Sequence, residues 1–422
     1  MLEIAGVAFG AERAPSSPDP FSPLIHPSPR SQHVTSDPNS TSVPPQGWHP
    51  LVSVVVPVRN EAVNIEACLE RLLGQDYPRE RVEILVVDGC SDDDTRGVVE
   101  RVQARHPEAS LRLLSNPRRT VPPALNAGIR EARGDVIVRM DAHALPTSDY
   151  LRACVTALVR SGAANVGGIV AAKGATRFGE AVAFATQHPL GAGDAKHRIG
   201  GSAGDVDTVP FGAFRREAFA SVGLFDESLV RNQDYEFNVR LRAAGHRVHF
   251  DPAIRFTYTP RGDIAALWSQ YFQYGWWKVE TVRRHPHSLR VRQLLPPGLL
   301  AGLLATALAA PFCTPALGAL VLGLSAYLIT VGTVSYRLAR PPTSALQVLV
   351  AFAVIHFSWA LGFLLNVMSR GTYPYRARPP AVPRIAEADP SSTCTDVPHP
   401  RDLSDYHRGR SQGNPRTRGT GE

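Results

Sequence analysis

Lysine and cysteine are scarce in this chain, and each shortage excludes a class of function. Only three of the 45 basic residues are lysines, and the formal net charge is +7. No compact basic cluster stands among exposed aromatic residues, so the charge does not indicate a nucleic-acid partner. The five cysteines are scattered and form no CxxC pair, which argues against a disulfide framework and against a zinc site.

Charged residues are missing from two long stretches near the C-terminus. Asp, Glu, Lys and Arg are absent from 44 consecutive residues, 293–336, and from the 29 residues 341–369. Since about 20 apolar residues cross a bilayer, these stretches exclude a purely soluble chain and predict a transmembrane region over 293–369. The predicted spans are about 294–312, 316–336 and 345–367.

Basic residues beside these spans predict their orientation. Arginines between 283 and 292, with Arg337 and Arg340, place the N-terminal part of the chain in the cytoplasm by the positive-inside rule. We therefore expect a multi-pass protein of the plasma membrane. A third crossing would leave Arg370 and Arg376 outside, against the rule, so the number of spans stays open.

Both ends of the chain are polar and rich in proline. Residues 1–50 contain ten prolines and eight serines without a hydrophobic period, and residues 370–422 are rich in Pro, Arg, Ser and Gly. Such composition cannot bury enough apolar surface to fold, so we expect both segments to be disordered.

Strand and helix patterns alternate over residues 51–262. Apolar runs at 52–58 and 82–87 predict strands buried on both faces, and two shorter runs follow at 111–114 and 136–140. Helical spacings separate them, and Asn60 is the predicted cap of the first helix. This alternation predicts an α/β domain with a mostly parallel sheet, in which ligands bind at the carboxyl ends of the strands.

Polar residues follow four of these predicted strands. Each group alone is typical of a turn or a helix cap. Together they place polar side chains at four strand ends, which indicates a binding site. The groups are PVRNE at 57–61, DGCSDDD at 88–94, NPRR at 116–119 leading into ALNAG at 124–128, and DAH at 141–143.

This order of motifs resembles family 2 glycosyltransferases with the GT-A nucleotide-sugar-binding fold, over about residues 52–277. It most resembles bacterial enzymes of succinoglycan-type exopolysaccharide assembly, which also carry C-terminal membrane helices. The resemblance implies a nucleotide-sugar donor, with Asp88 against the base. The implied donor-binding residues are Pro57, Arg59, Glu61, Asp88, Asp92, Asn126 and Asp141.

Asp141 and His143 occupy the position of the family's Asp-x-Asp metal motif. A divalent cation, Mg²⁺ or Mn²⁺, would stabilise the charge of the leaving nucleotide diphosphate. Imidazole suits Mn²⁺ better than Mg²⁺, which prefers oxygen ligands. The alternative is that His143 is a loop residue that contacts phosphate.

Asp234 stands at the predicted start of a helix, where the family has its catalytic carboxylate. The resemblance implies a general base that deprotonates the acceptor hydroxyl, with inversion at the sugar carbon. The alternative is a first-turn carboxylate stabilised by the helix dipole, and Glu236 is a second candidate base. Asp194, Asp205 and Asp207 lie in a Gly-rich segment that we expect to be a mobile acceptor loop.

Six aromatic residues stand within 268–278, and arginines follow. This pattern predicts amphipathic interfacial helices over 263–292. Residues 273–277 resemble the Gln-x-x-Arg-Trp signature of processive members but lack its Arg, which argues against processive polymerisation. Contact with the acceptor is the compatible alternative. The predicted acceptor residues are Gln233, Glu236, Gln273, Trp276 and Trp277.

The leading hypothesis is a membrane-bound, inverting glycosyltransferase that moves a hexose onto a polyprenyl-linked saccharide acceptor in exopolysaccharide or cell-envelope glycan synthesis. UDP-glucose is the expected donor, and glucose is the sugar that it supplies. One alternative is transfer directly onto polyprenyl phosphate. The other is a non-catalytic nucleotide-binding assembly subunit, which is favoured by the departures from the family pattern at His143 and Gln233.

Overall fold

A computed structural model describes residues 49–369, which form nine β-strands and thirteen α-helices. The expected disordered arm, apart from residues 49 and 50, and the expected tail over 370–422 lie outside the described residues. The strands are β1 (Val52–Val58), β2 (Val82–Asp88), β3 (Ser110–Ser115), β4 (Val136–Arg139), β5 (Ala144–Pro146), β6 (Asn165–Ala172), β7 (Gly204–Asp205), β8 (Ala213–Arg215) and β9 (Val248–Tyr258). The helices are α1 (Ile65–Leu73), α2 (Thr95–Arg105), α3 (Val121–Glu131), α4 (Tyr150–Ser161), α5 (Arg177–Thr186), α6 (Pro189–Ala192), α7 (Lys196–Ile199), α8 (Arg216–Val222), α9 (Gln233–Ala243), α10 (Ile264–Arg284), α11 (Leu295–Ala309), α12 (Thr314–Leu338) and α13 (Ala345–Ser369).

All nine strands of the described chain join one sheet in the order β3-β2-β1-β4-β8-β6-β9-β5, with β7 also paired to β9. Six strands run in one direction, and β5, β7 and β8 run against them. The prediction of a mostly parallel sheet is therefore confirmed. Strands β1, β2 and β4 lie side by side, so the loops that follow them share one edge.

Helices cover both faces of the sheet, which is why β1 is a continuous apolar run. Val54 and Val56 belong to the core on one face, and Val55 belongs to the core on the other. Side chains alternate between faces along a strand. A strand covered on both sides therefore needs apolar residues at every position.

The C-terminal helices match the predicted spans to within a few residues. Three apolar stretches are long enough to cross a membrane, at Val291–Ala309, Thr314–Leu338 and Ala345–Ser369. Helix α12 begins at Thr314, two residues before the predicted start of the second span at 316, because Pro315 fits the first turn of a helix. The crossing itself and its direction stay predictions.

Helix α13 differs from its two apolar neighbours because it packs along α10. Half of its apolar window is buried, against 6% for each of the other two stretches. At Gly275 of α10 a Cβ atom would lie 2.0 Å from the Trp359 carbonyl oxygen, and at Gly362 it would lie 2.1 Å from that of Phe272. Glycine at both positions therefore permits direct backbone contact between α10 and α13.

Candidate active site

The loops after β1 and β2 are tied together through Asn60. Its backbone N–H donates to Ser91 Oγ at 2.9 Å, and its Oδ1 accepts from the Asp92 N–H at 2.8 Å. Asn60 has a φ of 55°, in the left-handed region that Asn tolerates. The prediction that Asn60 caps the first helix is wrong: α1 begins at Ile65, and the Asn60 side chain is used across the loops instead.

Asp88 holds the loop after β2 from inside. Its side chain is fully buried, and one carboxylate oxygen accepts from Ser91 Oγ at 2.6 Å while the other lies 3.2 Å from Arg96 Nη1. Charge-assisted bonds of this kind fix the geometry of a turn. Asp88 thus shapes the loop, and its contact with a base stays a prediction.

Glu61 and His143 meet across the ends of β1 and β4, where Glu61 Oε1 lies 3.0 Å from His143 Nδ1. Burial raises the pKa of Glu61, but hydrogen bonds from His143 and Asn64 outweigh it and leave the pKa below its ordinary value. Burial lowers the pKa of His143, but Glu61 and the charge of Asp141 outweigh it and leave the pKa raised. The pair therefore favours a charged imidazolium beside a carboxylate.

Arg139 connects the end of β4 to the start of α9. Its guanidinium binds Asp141, with Nε 3.1 Å and Nη2 2.9 Å from Oδ1, and its Nη1 donates to Asp234 Oδ1. The Arg139 side chain is 7% exposed, against 20% for Asp141 and 25% for Asp234. One buried cation thus holds the predicted metal ligand and the predicted base together.

Burial controls the titration of the Asp234 carboxyl. Burial raises its pKa, the charge and hydrogen bond of Arg139 lower it, and the nearby charge of Asp141 raises it. The net result is a pKa above the ordinary value. Asp234 is the second residue of α9, so the expected first-turn position is confirmed, and a base with a raised pKa is compatible with that position.

Arg139 was missed by the sequence reasoning, although a signal was present. It stands within the run VIVRM, whose residues are all buried. A charged side chain in a strand that is covered on both faces needs an acidic partner. That rule indicates a partner for Arg139 but not which carboxylates supply it.

The other residues that are predicted to bind the nucleotide-sugar donor differ in burial and in their contacts. Pro57 is buried inside β1. Arg59 Nη2 lies 3.4 Å from Asp92 Oδ2, with both side chains about two-fifths exposed at the same strand edge. Asn126 is buried and bonds Phe225 N, Phe225 O and Glu227 Oε1, so it fixes the loop before α9. Their contacts with a donor stay predictions.

Glu236 lies near Asp234 in the first turn of α9 but has other partners. Its carboxylate is 3% exposed and is bound by Arg240 at 2.7 Å and by His285 Nε2 at 2.9 Å. Arg240 lies on α9 itself, whereas the contact with His285, which follows the last residue of α10, fastens α9 to the end of α10. Gln233, the first residue of α9, is also buried. The geometry favours Asp234 over Glu236 as the base.

Helix α10 contacts the turn that precedes Asp234. Gln273 Oε1 accepts from Arg231 Nε at 3.2 Å, and the Tyr274 carbonyl accepts from Asn232 Nδ2 at 3.3 Å. Trp276 is 1% exposed and Trp277 is half-buried. Gln273 is thus brought beside the candidate site, whereas Trp276 lies inside the protein.

Acidic residues of the expected acceptor loop are bound by basic side chains. Arg292 binds Asp194 and lies 2.9 Å from Asp207 Oδ2. Asp205 accepts from Arg247 at 2.8 Å and lies 3.0 Å from His249 Nδ1. These pairs fasten the Gly-rich segment to its neighbours, and its mobility stays a prediction.

The described residues supply only part of a ligand set for the predicted metal ion. Residues 49–369 bring together no group of three His, Cys, Asp or Glu side chains that could hold an ion. Asp141 and His143 follow the same strand, and His143 bonds a carboxylate through Nδ1. A metal-binding histidine commonly has such a carboxylate on its other ring nitrogen, so these two residues fit a site that substrate oxygens complete.

Comparison with known proteins gives one family match and several relatives. Residues 53–223 match the family model described as glycosyl transferase family 2. Succinoglycan biosynthesis protein ExoA of Rhizobium meliloti (strain 1021) is 31% identical over 320 residues, 74% of this chain and 93% of that protein. The dolichyl N-acetyl-α-D-glucosaminyl phosphate 3-β-D-2,3-diacetamido-2,3-dideoxy-β-D-glucuronosyltransferase of Methanococcus voltae is 30% identical over 243 residues, 55% of this chain and 74% of that protein.

Among solved structures, the mannosyltransferase PcManGT from Pyrobaculum calidifontis, in complex with GDP-Man and Mn²⁺, aligns with a TM-score of 0.56. The alignment covers 76% of this chain and 88% of that one at 22% identity. A likeness at this identity concerns the fold alone. With the sheet order described above, it confirms the predicted GT-A type of α/β fold.

Proposed function

Because the chain belongs to family 2 of the glycosyltransferases, we propose that it transfers a hexose from a nucleotide-sugar donor to a lipid-linked saccharide acceptor. UDP-glucose is the proposed donor, glucose is the sugar that is transferred, and exopolysaccharide or cell-envelope glycan is the proposed product. The observation that carries the proposal is the bridge from Arg139 to Asp141 and Asp234. It holds a candidate base beside the residue expected to face the donor diphosphate.

The proposed chemistry is a single displacement. As the acceptor hydroxyl oxygen attacks the anomeric carbon, its proton passes to a carboxylate oxygen of Asp234. The new C–O bond forms as the bond from the anomeric carbon to the diphosphate oxygen breaks, so the sugar carbon is inverted. The raised pKa of Asp234 makes the carboxylate a better proton acceptor, and Arg139 keeps it in place.

A divalent cation, Mg²⁺ or Mn²⁺, would be held by Asp141 and His143 and would neutralise charge on the leaving diphosphate. Glu61 orients His143 through Nδ1. Nδ1 would stay hydrogen-bonded to Glu61, and the other ring nitrogen, Nε2, would lose its proton when a cation binds there. We propose Nε2 as the ligand atom of His143.

A membrane-held acceptor explains why three long apolar helices follow the α/β domain. The name of the Methanococcus voltae relative includes a dolichyl-linked sugar phosphate, which supports an acceptor on an isoprenoid lipid. We propose that the α/β domain lies on the cytoplasmic side of the plasma membrane, where the arginines before the first apolar stretch favour it.

Membranes that contain the protein, supplied with labelled UDP-sugars and defined lipid acceptors, test this proposal. Labelled product on a lipid-diphosphate saccharide is the expected result. Product on bare polyprenyl phosphate would instead support direct transfer to the carrier. Nucleotide binding without turnover for any donor and acceptor pair would overturn the proposal in favour of a non-catalytic assembly subunit.

A further inference from the structure

A cavity of about 850 Å³ lies between the segment 189–198 and the C-terminal helices. One end is apolar and is lined from all three candidate membrane helices, through residues such as Leu299, Val331 and Ile355. The other end is lined by cationic side chains, among them Lys278 and Arg292. Such a cavity matches a ligand that carries an anionic head on an apolar chain.

Lys278 is the most buried of the cations that line this cavity. It is 4% exposed, its Nζ donates to the Ser288 carbonyl at 3.2 Å, and Nζ lies 3.5 Å from the centre of the Tyr235 ring. No carboxylate in the described part of the chain pairs with it. The charge of Asp207 acts on Lys278 from beyond ion-pair distance, and Arg292 already binds Asp207. A buried ammonium without an ion-pair partner is unfavourable, so an anion in the cavity would stabilise it.

Arg198 is a second cation in the cavity wall without an acidic partner among residues 49–369. Its guanidinium lies 5.7 Å from the centre of the Tyr258 ring. Arg292 differs, because Asp194 and Asp207 already bind it. Two positive charges at this end of the cavity therefore remain unbalanced by the described residues.

The cationic end also adjoins the candidate active site. Asn232 and Tyr235 line the cavity, and they stand on either side of Asp234 in the chain. The Tyr258 ring beneath Arg198 also lies 5.5 Å from the His143 ring. The cationic end therefore lies beside the first turn of α9, which carries Asp234.

We propose that this cavity binds the lipid carrier of the acceptor, with a diphosphate against Arg198 and Lys278 and an isoprenoid chain between α11, α12 and α13. This inference rests on the proposed function and locates its acceptor. Two unbalanced cations match the two charges of a lipid-diphosphate sugar. A diacyl phospholipid with a phosphodiester head carries only one charge at that group.

Equilibrium binding of radiolabelled farnesyl diphosphate to the full chain in detergent micelles, without nucleotide-sugar, tests the inference. We expect saturable binding that neither farnesol nor phosphatidylglycerol displaces. Arg198→Gln, Lys278→Gln and the cavity-filling Ala326→Phe should each weaken binding about tenfold or more, the scale of one charge-assisted hydrogen bond. Lys278→Arg, which keeps the charge, should retain binding and shows that the site tolerates substitution.

Two matched controls lie outside the cavity. Arg337→Gln removes a cation near the end of α12, and Ala319→Phe adds the same ring to α12 two turns before Ala326. Both should bind the probe as the unsubstituted chain does. Undiminished binding by Ala326→Phe and Lys278→Gln, or displacement by phosphatidylglycerol, would overturn the inference.

The binding assay separates this inference from the proposed function. Asp234→Asn should bind farnesyl diphosphate normally while its sugar transfer falls about 10²- to 10⁴-fold. A chain that binds the probe but transfers sugar to no acceptor would overturn the proposed function alone. A chain that transfers sugar but does not bind the probe would overturn the cavity inference alone.

Discussion

The edge of the sheet and the helix-lined cavity both bury charged side chains, but their charge balance is opposite. At the sheet edge, Arg139 lies between Asp141 and Asp234, so the carboxylates outnumber the cation that holds them. In the cavity, Lys278 and Arg198 have aromatic rings as neighbours, and neither forms an ion pair with a carboxylate of the described residues. On this difference rest the proposals that the sheet edge takes up a proton and a cation and that the cavity binds an anion.

Of the changes at the sheet edge, removal of the proposed base is expected to have the largest effect on turnover. Asp234→Asn keeps the shape of the side chain but cannot accept a proton, so turnover should fall about 10²- to 10⁴-fold. Scintillation counting of labelled lipid product measures it, with UDP affinity expected to be unchanged. Asp76→Asn, in an exposed pair with Arg152, should keep full turnover. Retained transfer in Asp234→Asn would remove this residue as the base.

Replacing the bridging cation tests why the two carboxylates lie together. Arg139→Gln leaves Asp141 and Asp234 without their shared partner, which should destabilise the fold by about 3 to 5 kcal/mol. A displaced base should also lower turnover about 10²-fold. Thermal unfolding and product formation measure the two effects.

Arg139→Lys is the matched variant for this bridge. It keeps the charge but lacks the planar fork that binds two carboxylates, so intermediate values are expected. Unchanged turnover in Arg139→Gln would show that the bridge is not part of the active arrangement.

The Glu61 carboxylate, which contacts Nδ1 of His143, gives a test of whether the sheet edge binds a cation. Glu61→Ala removes the partner of Nδ1 and should lower the affinity for Mn²⁺ about 10- to 100-fold, as loss of a group that orients a metal-binding histidine does. Electron paramagnetic resonance of free Mn²⁺, with UDP present, measures this. Glu61→Gln keeps a hydrogen-bond acceptor and should lose less of the Mn²⁺ affinity. Equal Mn²⁺ affinity in the unsubstituted chain and in both Glu61 variants would exclude a metal held through His143.

The spacing of α10 and α13 supports both regions, because α10 contacts the turn before Asp234 and lines the cavity. Gly362→Ala would place a Cβ 2.1 Å from the Phe272 carbonyl oxygen and should cost about 1 to 3 kcal/mol of stability through overpacking. Gly318→Ala on α12 is the matched control, because an added Cβ there would meet no atom within 4 Å apart from the neighbouring backbone of its own helix. Denaturation in mixed micelles should separate the two, and equal stability would contradict the close packing.

The pH dependence of farnesyl diphosphate binding tests the charge of Lys278 in the cavity. Burial, with the charges of Arg292, Arg290 and Arg242, lowers the pKa of Lys278 to about 7, although Asp207 raises it. Lys278 is therefore mostly charged below that pH and mostly neutral above it. Farnesyl diphosphate binding should weaken about tenfold as the pH rises through this pKa, through loss of one charge-assisted bond.

The Lys278→Arg variant separates the titration of Lys278 from that of the probe, since arginine stays charged throughout this range. Its binding should follow only the ionisation of farnesyl diphosphate itself. Parallel pH profiles for the unsubstituted chain and for the Lys278→Arg variant would show that Lys278 does not contribute charge to the bound probe.

Local patterns in the sequence determined the α/β alternation, the sheet edge that carries the site and the positions of the three apolar helices. Burial on both faces of β1 requires a continuous apolar run, and a helix in lipid requires an uncharged one. Asp141, His143 and Glu61 were predicted together because each closely follows a strand, and parallel strand ends meet at one edge.

Only the tertiary structure decided which charges pair. Arg139 and Asp234 are 95 residues apart in the chain, and Glu236, two residues further, pairs with Arg240 and His285 instead. The pair of Glu236 with Arg240 is an i, i+4 pair that helical spacing permits. The contacts of Asp234 with Arg139 and of Glu236 with His285 do not follow from spacing, because distant segments supply these partners. The cavity arises in the same way: its cations come from three separate segments, and its apolar end forms only where α11 and α12 pack against α13.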